Sequence, residues 1–204
     1  ITELASIGED DGRIRIGAMT RQSSLERSEL IRNQCPIIIE ALRQVGHLQT
    51  RNRGTIGGNL SHADPSSEMP AVCVCLESTM IVRGKNATRE VPAGEFFLGA
   101  LETALKADEF LAEIGIPVRK PGAGSAFEEV SPRQGDFATT AIAVSLQVES
   151  GVCRSARIAH AAVADRPARI ESAEAVLVGS ALDDAHISEA AERAAADVEP
   201  TVIN

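Results

Sequence analysis

The segment Thr55–Asn59 (TIGGN) carries the residues of this chain that are best suited to binding chemistry. Consecutive glycines let backbone N–H groups approach a ligand without Cβ interference, and they tolerate positive φ. Thr55, Asn59 and the nearby Ser61 add side-chain donors. We therefore expect bare amides between Gly57 and Asn59 to face a diphosphate group. A glycine pair is also typical of an ordinary turn, so the segment alone leaves both interpretations open.

The residues after this segment predict a helix. Asp64 and Pro65 have the types expected for an N-cap and a first helical position, and the start of such a helix could add its positive end to an anion site. Met69 and Val72 begin the predicted inner face of the helix. The chain has neither a GxGxxG fingerprint nor a Gly-Lys-Ser/Thr phosphate loop, so the two common nucleotide motifs are excluded.

Composition narrows the possible partners. The net charge of −9 argues against a nucleic-acid partner, and five Phe without Trp or Tyr offer little surface for stacking bases. The apolar runs are too short to span a bilayer, so we expect no membrane insertion. Cysteine and histidine spacings fit no metal site, which predicts no metal ligands and reduced, buried thiols in a cytoplasmic protein. These residues are Cys35, Cys73, Cys75, Cys153, His47, His62, His160 and His186.

Apolar patterning in the first part of the chain predicts a mixed domain over residues 1–118. Short apolar stretches at 4–7 and 14–16 flank turn-forming residues and predict a hairpin. Pro36 suits the first turn of a following helix. Strands are expected at 79–83, 88–91 and 109–116.

A second domain is expected over residues 119–204, because the Pro- and Gly-rich segment 117–124 is the best boundary candidate. Residues 138–148 alternate apolar and polar side chains, and 152–162 predicts the return strand. Two helices are expected to close the chain, near 168–178 and 187–196. The predicted fold class is therefore α+β, with an antiparallel sheet packed by helices in the second domain.

The longer string around the glycines adds a resemblance to a known family. GTIGGN, followed by SHADPSSEMPAV, closely resembles the second flavin loop of the FAD-binding medium subunits of molybdenum hydroxylases. That group includes the flavoprotein subunit of aerobic carbon monoxide dehydrogenase and the flavin domain of xanthine dehydrogenase. The blocks IGAMTRQSSLERS, HLQTRNRGTIGG and SAFEEVSPRQGDFA match in the same order, so the resemblance spans nearly the whole chain.

The resemblance implies an FAD-binding subdomain of this flavoprotein type, followed by the C-terminal antiparallel sheet with helices. It also implies FAD as cofactor and no side chain acting as a catalytic acid, base or nucleophile. The cofactor-binding residues that it implies are Thr55, Ile56, Gly57, Gly58, Asn59, Ser61, Asp64, Glu68, Val45, Gly46 and Leu111. Val45 and Leu111 are equally consistent with core positions. Arg133 and Asp136 have the pattern of a structural pair or a subunit contact.

The function implied is that of an oxidoreductase subunit in a hetero-oligomer. FAD would accept electrons from the [2Fe–2S] centres of a small subunit, while a large subunit with the molybdenum cofactor acts on the substrate. The resemblance places the family's first glycine loop before Ile1 and the end of its helical tail after Asn204, so we expect the chain as given to lack both. The alternative is a non-catalytic docking or nucleotide-binding module that lacks flavin in this truncated form.

Overall fold

The computed structural model describes residues 2–198 and residue 200, so residue 199 and the last four residues of the predicted second domain lie outside the described residues. Eleven strands are described: β1 Ile7–Asp10, β2 Arg13–Gly17, β3 Thr79–Gly84, β4 Thr88–Pro92, β5 Phe97–Gly99, β6 Glu102–Thr103, β7 Glu109–Pro117, β8 Ala123–Val130, β9 Thr140–Glu149, β10 Val152–Ala161 and β11 Ala168–Arg169. Nine α-helices are described: α1 Gln22–Arg27, α2 Glu29–Gln34, α3 Pro36–Leu42, α4 Leu48–Arg53, α5 Ile56–His62, α6 Glu68–Cys75, α7 Ala93–Phe96, α8 Glu171–Leu177 and α9 Asp184–Asp197.

The first part of the chain builds a five-stranded antiparallel sheet in the order β1-β2-β7-β3-β4. The opening hairpin is confirmed, but its strands are shifted from the predicted residues. Asp11 and Gly12 both have positive φ, 48° and 68°, as a type I′ turn requires. The turn is therefore only two residues long, and β1 occupies Ile7–Asp10, which includes residues predicted to be part of the turn. Leu4 lies instead in a short 3-10 turn.

The second part of the chain builds a four-stranded antiparallel sheet in the order β11-β10-β9-β8. The predicted hairpin of β9 and β10 is confirmed, with Ile142 opposite His160. Two details of the prediction are wrong. Ala168 and Arg169 form β11 rather than the start of a helix, and β8 occupies residues to which no strand was assigned.

Helix α6 connects the helices of the first part of the chain to the second sheet. Every residue from Glu68 to Cys75 is buried, because α6 packs between the helices of the first domain and strands β9 and β10. The prediction that α6 buries only one face, beginning with Met69 and Val72, is therefore wrong. The buried core continues from Leu42 through α6 to Phe127 and Ala143 on the second sheet.

The predicted start of α6 at Asp64 and Pro65 is wrong. The Asp64 carboxylate accepts a hydrogen bond from the Ser66 backbone N–H at 2.9 Å, which closes a local turn before the helix. The helix begins only at Glu68, with Ser67 as N-cap. The link between α5 and α6 is thus a tight turn, and it holds Asp64 and Glu68 near each other.

Candidate functional site

The glycine segment forms the first turn of α5 rather than a loop. Thr55 is the N-cap, and its hydroxyl oxygen accepts a hydrogen bond from Gly58 N–H at 3.1 Å. The Ile56 N–H donates to the Thr20 carbonyl at 3.0 Å, and the Gly57 N–H donates to the Ala18 carbonyl at 2.8 Å. These bonds attach the start of α5 to the segment that follows β2.

The expectation of bare amides between Gly57 and Asn59 is therefore wrong. The Asn59 N–H donates to the Thr55 carbonyl at 3.1 Å, so all three amides have partners within the protein. The requirement for glycine at position 57 is steric: a Cβ there would lie 2.4 Å from Ala18 Cβ. Glycine at 57 lets the helix pack directly on the backbone beneath it.

Gly58 presents the open face of the same turn. It is exposed, and within 4 Å of a Cβ built on it only the hydroxyl oxygen of Thr55 is found, at 2.9 Å. A ligand can thus approach the backbone at Gly58 without meeting another segment. The two adjacent glycines have different roles, because one is packed and the other is open.

A groove of about 450 Å³ lies beside this turn. It brings together Val45, Gly46, Asn59, Asp64 and Glu68, five of the predicted cofactor-binding residues. The remaining six are Thr55, Ile56, Gly57, Gly58 and Ser61 in or next to α5, and Leu111 on β7; none of them lines the groove. Leu111 is 5% exposed and belongs to the hydrophobic core.

Asn59 provides a test of whether the groove suits a polar ligand. Its side-chain N–H donates to the Ser67 hydroxyl at 3.3 Å. Its Oδ1 is buried, and no described residue donates to it. A buried acceptor without a partner costs free energy that a ligand donor would recover. The ribityl hydroxyls and the ring N–H of FAD are donors of this kind, so the residues present fit that cofactor.

Acidic side chains line one wall of the groove. Glu68, in the first turn of α6, is only 6% exposed. Burial, together with the charges of Glu129 and Asp64, raises the pKa of Glu68 to about 7. Asp64 lies 3.9 Å from the His62 imidazole. Near neutral pH the wall therefore contains a carboxyl group that either donates or accepts a hydrogen bond.

The loop before β9 completes the groove with residues to which no cofactor role was assigned from the sequence. Phe137 is 71% exposed and lines the groove, so its ring is accessible to a ligand there. Arg133 and Asp136, predicted to be a structural pair or a subunit contact, form an ion pair with Nε and Oδ2 3.0 Å apart. The signal was present in the block SPRQGDFA, whose Phe follows a turn-forming Gly-Asp.

Metal ligands are not grouped anywhere in the described part of the chain: no three His, Cys, Asp or Glu side chains converge there. The four cysteines are free and buried. Burial raises the pKa of Cys35, Cys73 and Cys75 to about 12, which makes these thiols poor nucleophiles. None of the helices between residues 2 and 198 is long and apolar enough to cross a membrane.

Comparison with known proteins decides the family. Residues 1–119 match the family model described as the FAD binding domain in molybdopterin dehydrogenase. The chain belongs to this flavoprotein family. Residues 125–203 match a second family model of these flavoproteins, the CO dehydrogenase flavoprotein C-terminal domain. The predicted family and the α+β fold class are thereby confirmed, and FAD is the cofactor for which the family is named.

Individual flavoproteins of the family are similar over most of the chain. The caffeine dehydrogenase subunit beta of Pseudomonas sp. strain CBB1 is 40% identical over 180 residues, covering 88% of this chain and 61% of that protein. The carbon monoxide dehydrogenase medium chain of Hydrogenophaga pseudoflava is 36% identical over 200 residues, covering 98% of this chain and 70% of that one. The chain thus spans roughly two thirds of the length of these relatives.

A solved structure gives the same result for the fold. A chain of carbon monoxide dehydrogenase from Hydrogenophaga pseudoflava, solved without the Mo-pyranopterin moiety of its cofactor, superposes with a TM-score of 0.96. It is 37% identical in sequence and is matched over all of this chain and 71% of its own length. Quinoline 2-oxidoreductase from Pseudomonas putida 86 superposes with a TM-score of 0.93 at 34% identity.

Proposed function

We propose that this chain holds FAD in the groove beside α5 and serves as the electron-transferring flavoprotein subunit of a molybdenum hydroxylase. In this proposal, electrons arrive from [2Fe–2S] centres of a small subunit and leave to an external acceptor. A large subunit with the molybdenum cofactor oxidises the organic substrate. The observation that carries the proposal is the convergence of Val45, Gly46, Asn59, Asp64 and Glu68 on one groove in a chain of this family.

The cofactor-binding set divides into two groups by position. The open face of α5 at Gly58 takes the diphosphate end. The amides of this turn have partners within the protein, so the donors left for phosphate oxygens are the Thr55 and Ser61 hydroxyls beside the exposed Gly58. The groove takes a more polar and aromatic part of the cofactor, between the Asn59 acceptor and the Phe137 ring. Ile56, Gly57 and Leu111 support these surfaces from the core.

The chemistry divides between cofactor and protein. FAD, when bound, supplies the redox chemistry, since it can accept electrons singly and release them singly or in pairs. The protein residues bind, orient and shield it. Asn59 offers a fixed acceptor, because its amide is held by Ser67. Glu68 offers a carboxyl group that can keep a proton near neutral pH.

A docking or nucleotide-binding module without flavin is not favoured. The relatives with which the chain aligns are named as subunits of dehydrogenases or hydroxylases, and no described residue donates to the buried Asn59 acceptor in the groove. We also propose a cytoplasmic location. The four buried free thiols support it, because disulfides are typical of oxidising compartments.

FAD titration of the purified chain, followed by quenching of flavin fluorescence, tests the proposal. Gly58→Val places a branched side chain on the open face of α5 and is expected to weaken FAD binding at least about tenfold, a loss of roughly 1.4 kcal/mol. Gly94→Val is the matched control, since Gly94 is another exposed helical glycine with nothing within 4 Å of its Cβ position. Equal FAD binding by both variants would contradict the site, and an unchanged flavin signal with wild-type protein would contradict the function.

A further inference from the structure

Arg51 lies behind the groove and holds part of its wall. It belongs to the last turn of α4, and its side chain is only 13% exposed. One guanidinium nitrogen, Nη1, donates to the Val45 carbonyl at 2.9 Å and to the Gly46 carbonyl at 3.2 Å. Val45 and Gly46 line the groove, whereas Arg51 does not. Arg51 therefore contacts this turn from outside the groove.

A carboxylate on a different helix fixes the guanidinium in this place. Glu26 of α1 has its Oε2 atom 3.1 Å from Arg51 Nε, and its side chain is 18% exposed. The contact is ionic rather than a directed hydrogen bond, because Nε has no hydrogen-bond partner among the described residues. The planar guanidinium thus faces the carboxylate with one nitrogen and the two carbonyls with another. A lysine has a single nitrogen in place of these two, so it can serve the carboxylate or the carbonyls but not both.

The direction of the two carbonyls decides where the amides of the same turn point. In a trans peptide the N–H lies opposite the C=O, and the described part of the chain has no cis peptide bond. The carbonyls of Val45 and Gly46 point to Arg51. The N–H groups of the same two peptides belong to Gly46 and His47, so they point away from Arg51. No described residue accepts a hydrogen bond from either N–H, which leaves two backbone donors beside the groove.

We propose that Arg51 is a positioning residue for the cofactor, which fixes this turn so that the Gly46 and His47 amides donate to oxygen atoms of the flavin half of FAD. This role rests on the proposed function, in which the groove takes the aromatic part of the cofactor. Donors that are already fixed need not be ordered when the ligand binds, so Arg51 raises the affinity without touching FAD. Glu26 acts one step further away, because it holds Arg51.

Two substitutions of Arg51 and one control test this role. Arg51→Lys keeps the charge but cannot hold the carboxylate and both carbonyls, and Arg51→Met keeps only the apolar stem. Both should weaken the binding of FAD and of riboflavin about tenfold, because the two amides are no longer fixed. ADP should bind as it does to wild-type protein, since it lacks the flavin half. Arg43→Ala is the matched control, because Arg43 is an exposed cation two residues before Val45 and should leave all three affinities unchanged.

Fluorescence and NMR supply the readouts. Quenching of flavin fluorescence gives the dissociation constants of FAD and riboflavin, and competition with FAD gives that of ADP. ¹H–¹⁵N spectra follow the amides of Gly46 and His47 while FAD is added. Both amide protons should move downfield in the wild-type protein and move less in Arg51→Lys. If Arg51 only stabilised the fold, its substitution would weaken flavin and ADP binding by the same factor.

The outcomes separate this inference from the proposed function. A loss of affinity confined to FAD and riboflavin, together with shifted amides of Gly46 and His47, supports the role of Arg51. Equal FAD affinity of Arg51→Lys and wild-type protein, an equal loss for ADP, or amides that do not respond to FAD would overturn that role while the flavoprotein function stands. A wild-type chain that does not bind FAD would overturn the proposed function itself.

Discussion

Replacing Gly57 by alanine tests whether this glycine is required for packing rather than for ligand access. An alanine Cβ would lie 2.4 Å from Ala18 Cβ and 2.7 Å from the Ala18 carbonyl oxygen, well inside the normal carbon contact distance of about 3.5 Å. Ala18 cannot easily move away. Its N–H donates to the Ala112 carbonyl at 2.9 Å, which holds it against β7, while its carbonyl accepts from Gly57.

The magnitude follows from three contributions. Overpacking costs about 1–3 kcal/mol. Loss of the hydrogen bond from Gly57 N–H adds about 0.5–1.5 kcal/mol. The better helix propensity of alanine returns at most about 1 kcal/mol. The net expectation is a loss of about 2 kcal/mol in the free energy of unfolding.

Urea unfolding measured by circular dichroism checks this value. With a slope of about 2 kcal/mol per molar urea, the midpoint of Gly57→Ala should fall by about 1 M. Gly58→Ala is the matched control and should keep its midpoint to within about 0.5 M, because its Cβ meets only the Thr55 hydroxyl, and the loss of about 1 kcal/mol from a displaced cap is offset by the better helix propensity of alanine. An unchanged midpoint for Gly57→Ala, or an equal fall for both variants, would refute the assignment of different roles to the two glycines.

Three further predictions concern the same chain. Thr55→Ala should lower the free energy of unfolding by about 1 kcal/mol through loss of the cap on Gly58 N–H, whereas Thr55→Ser should not; equal urea midpoints for the two would contradict the cap. The hydrogen bond from Arg89 lowers the pKa of Glu109 from 4.5 to about 2, so this pair stabilises the fold above pH 4.5 and is lost as the pH falls towards 2. Glu109→Gln should therefore flatten the stability profile measured by urea unfolding in that window, and an unaltered slope would exclude the pair. Glu174→Ala should cost about 3 kcal/mol, because buried Glu174 accepts from Ile158 N–H and from Arg169, while the exposed Glu171→Ala on the same helix should cost little in thermal unfolding.

The strands were largely predictable from the sequence because their stabilising pattern is local. Residues 138–148 alternate apolar and polar side chains, and β9 covers Thr140–Glu149 with that same alternation facing helices α8 and α9. β8 was missed because its alternation is carried by small and acidic residues, with Phe127 as its one large buried side chain. Its strand character depends on pairing with β9, which no local pattern reveals.

Helix α5, which contains Gly57 and Gly58, could not be predicted from the local sequence. Two glycines in the first turn have low helix propensity, so the sequence favours a loop. The helix forms because Ile56 and Gly57 hydrogen-bond to the segment after β2, thirty-six or more residues earlier in the chain, and because Thr55 caps the turn. The residue types indicated a binding site, but the partners of the amides are set by tertiary contacts.

The groove itself depends on one contact between distant segments. Gly135 has a φ of +85°, and a Cβ there would lie 2.9 Å from the Gly46 carbonyl oxygen and 3.0 Å from the His47 ring. Both the backbone angle and the close contact require glycine. Gly135 therefore fixes the loop that carries Phe137 against the turn after α3, and so sets the width of the groove. Because both parts of the chain contribute to this contact, the groove exists only when they are docked, and the buried α6, packed between α3 and strands β9 and β10, is what docks them.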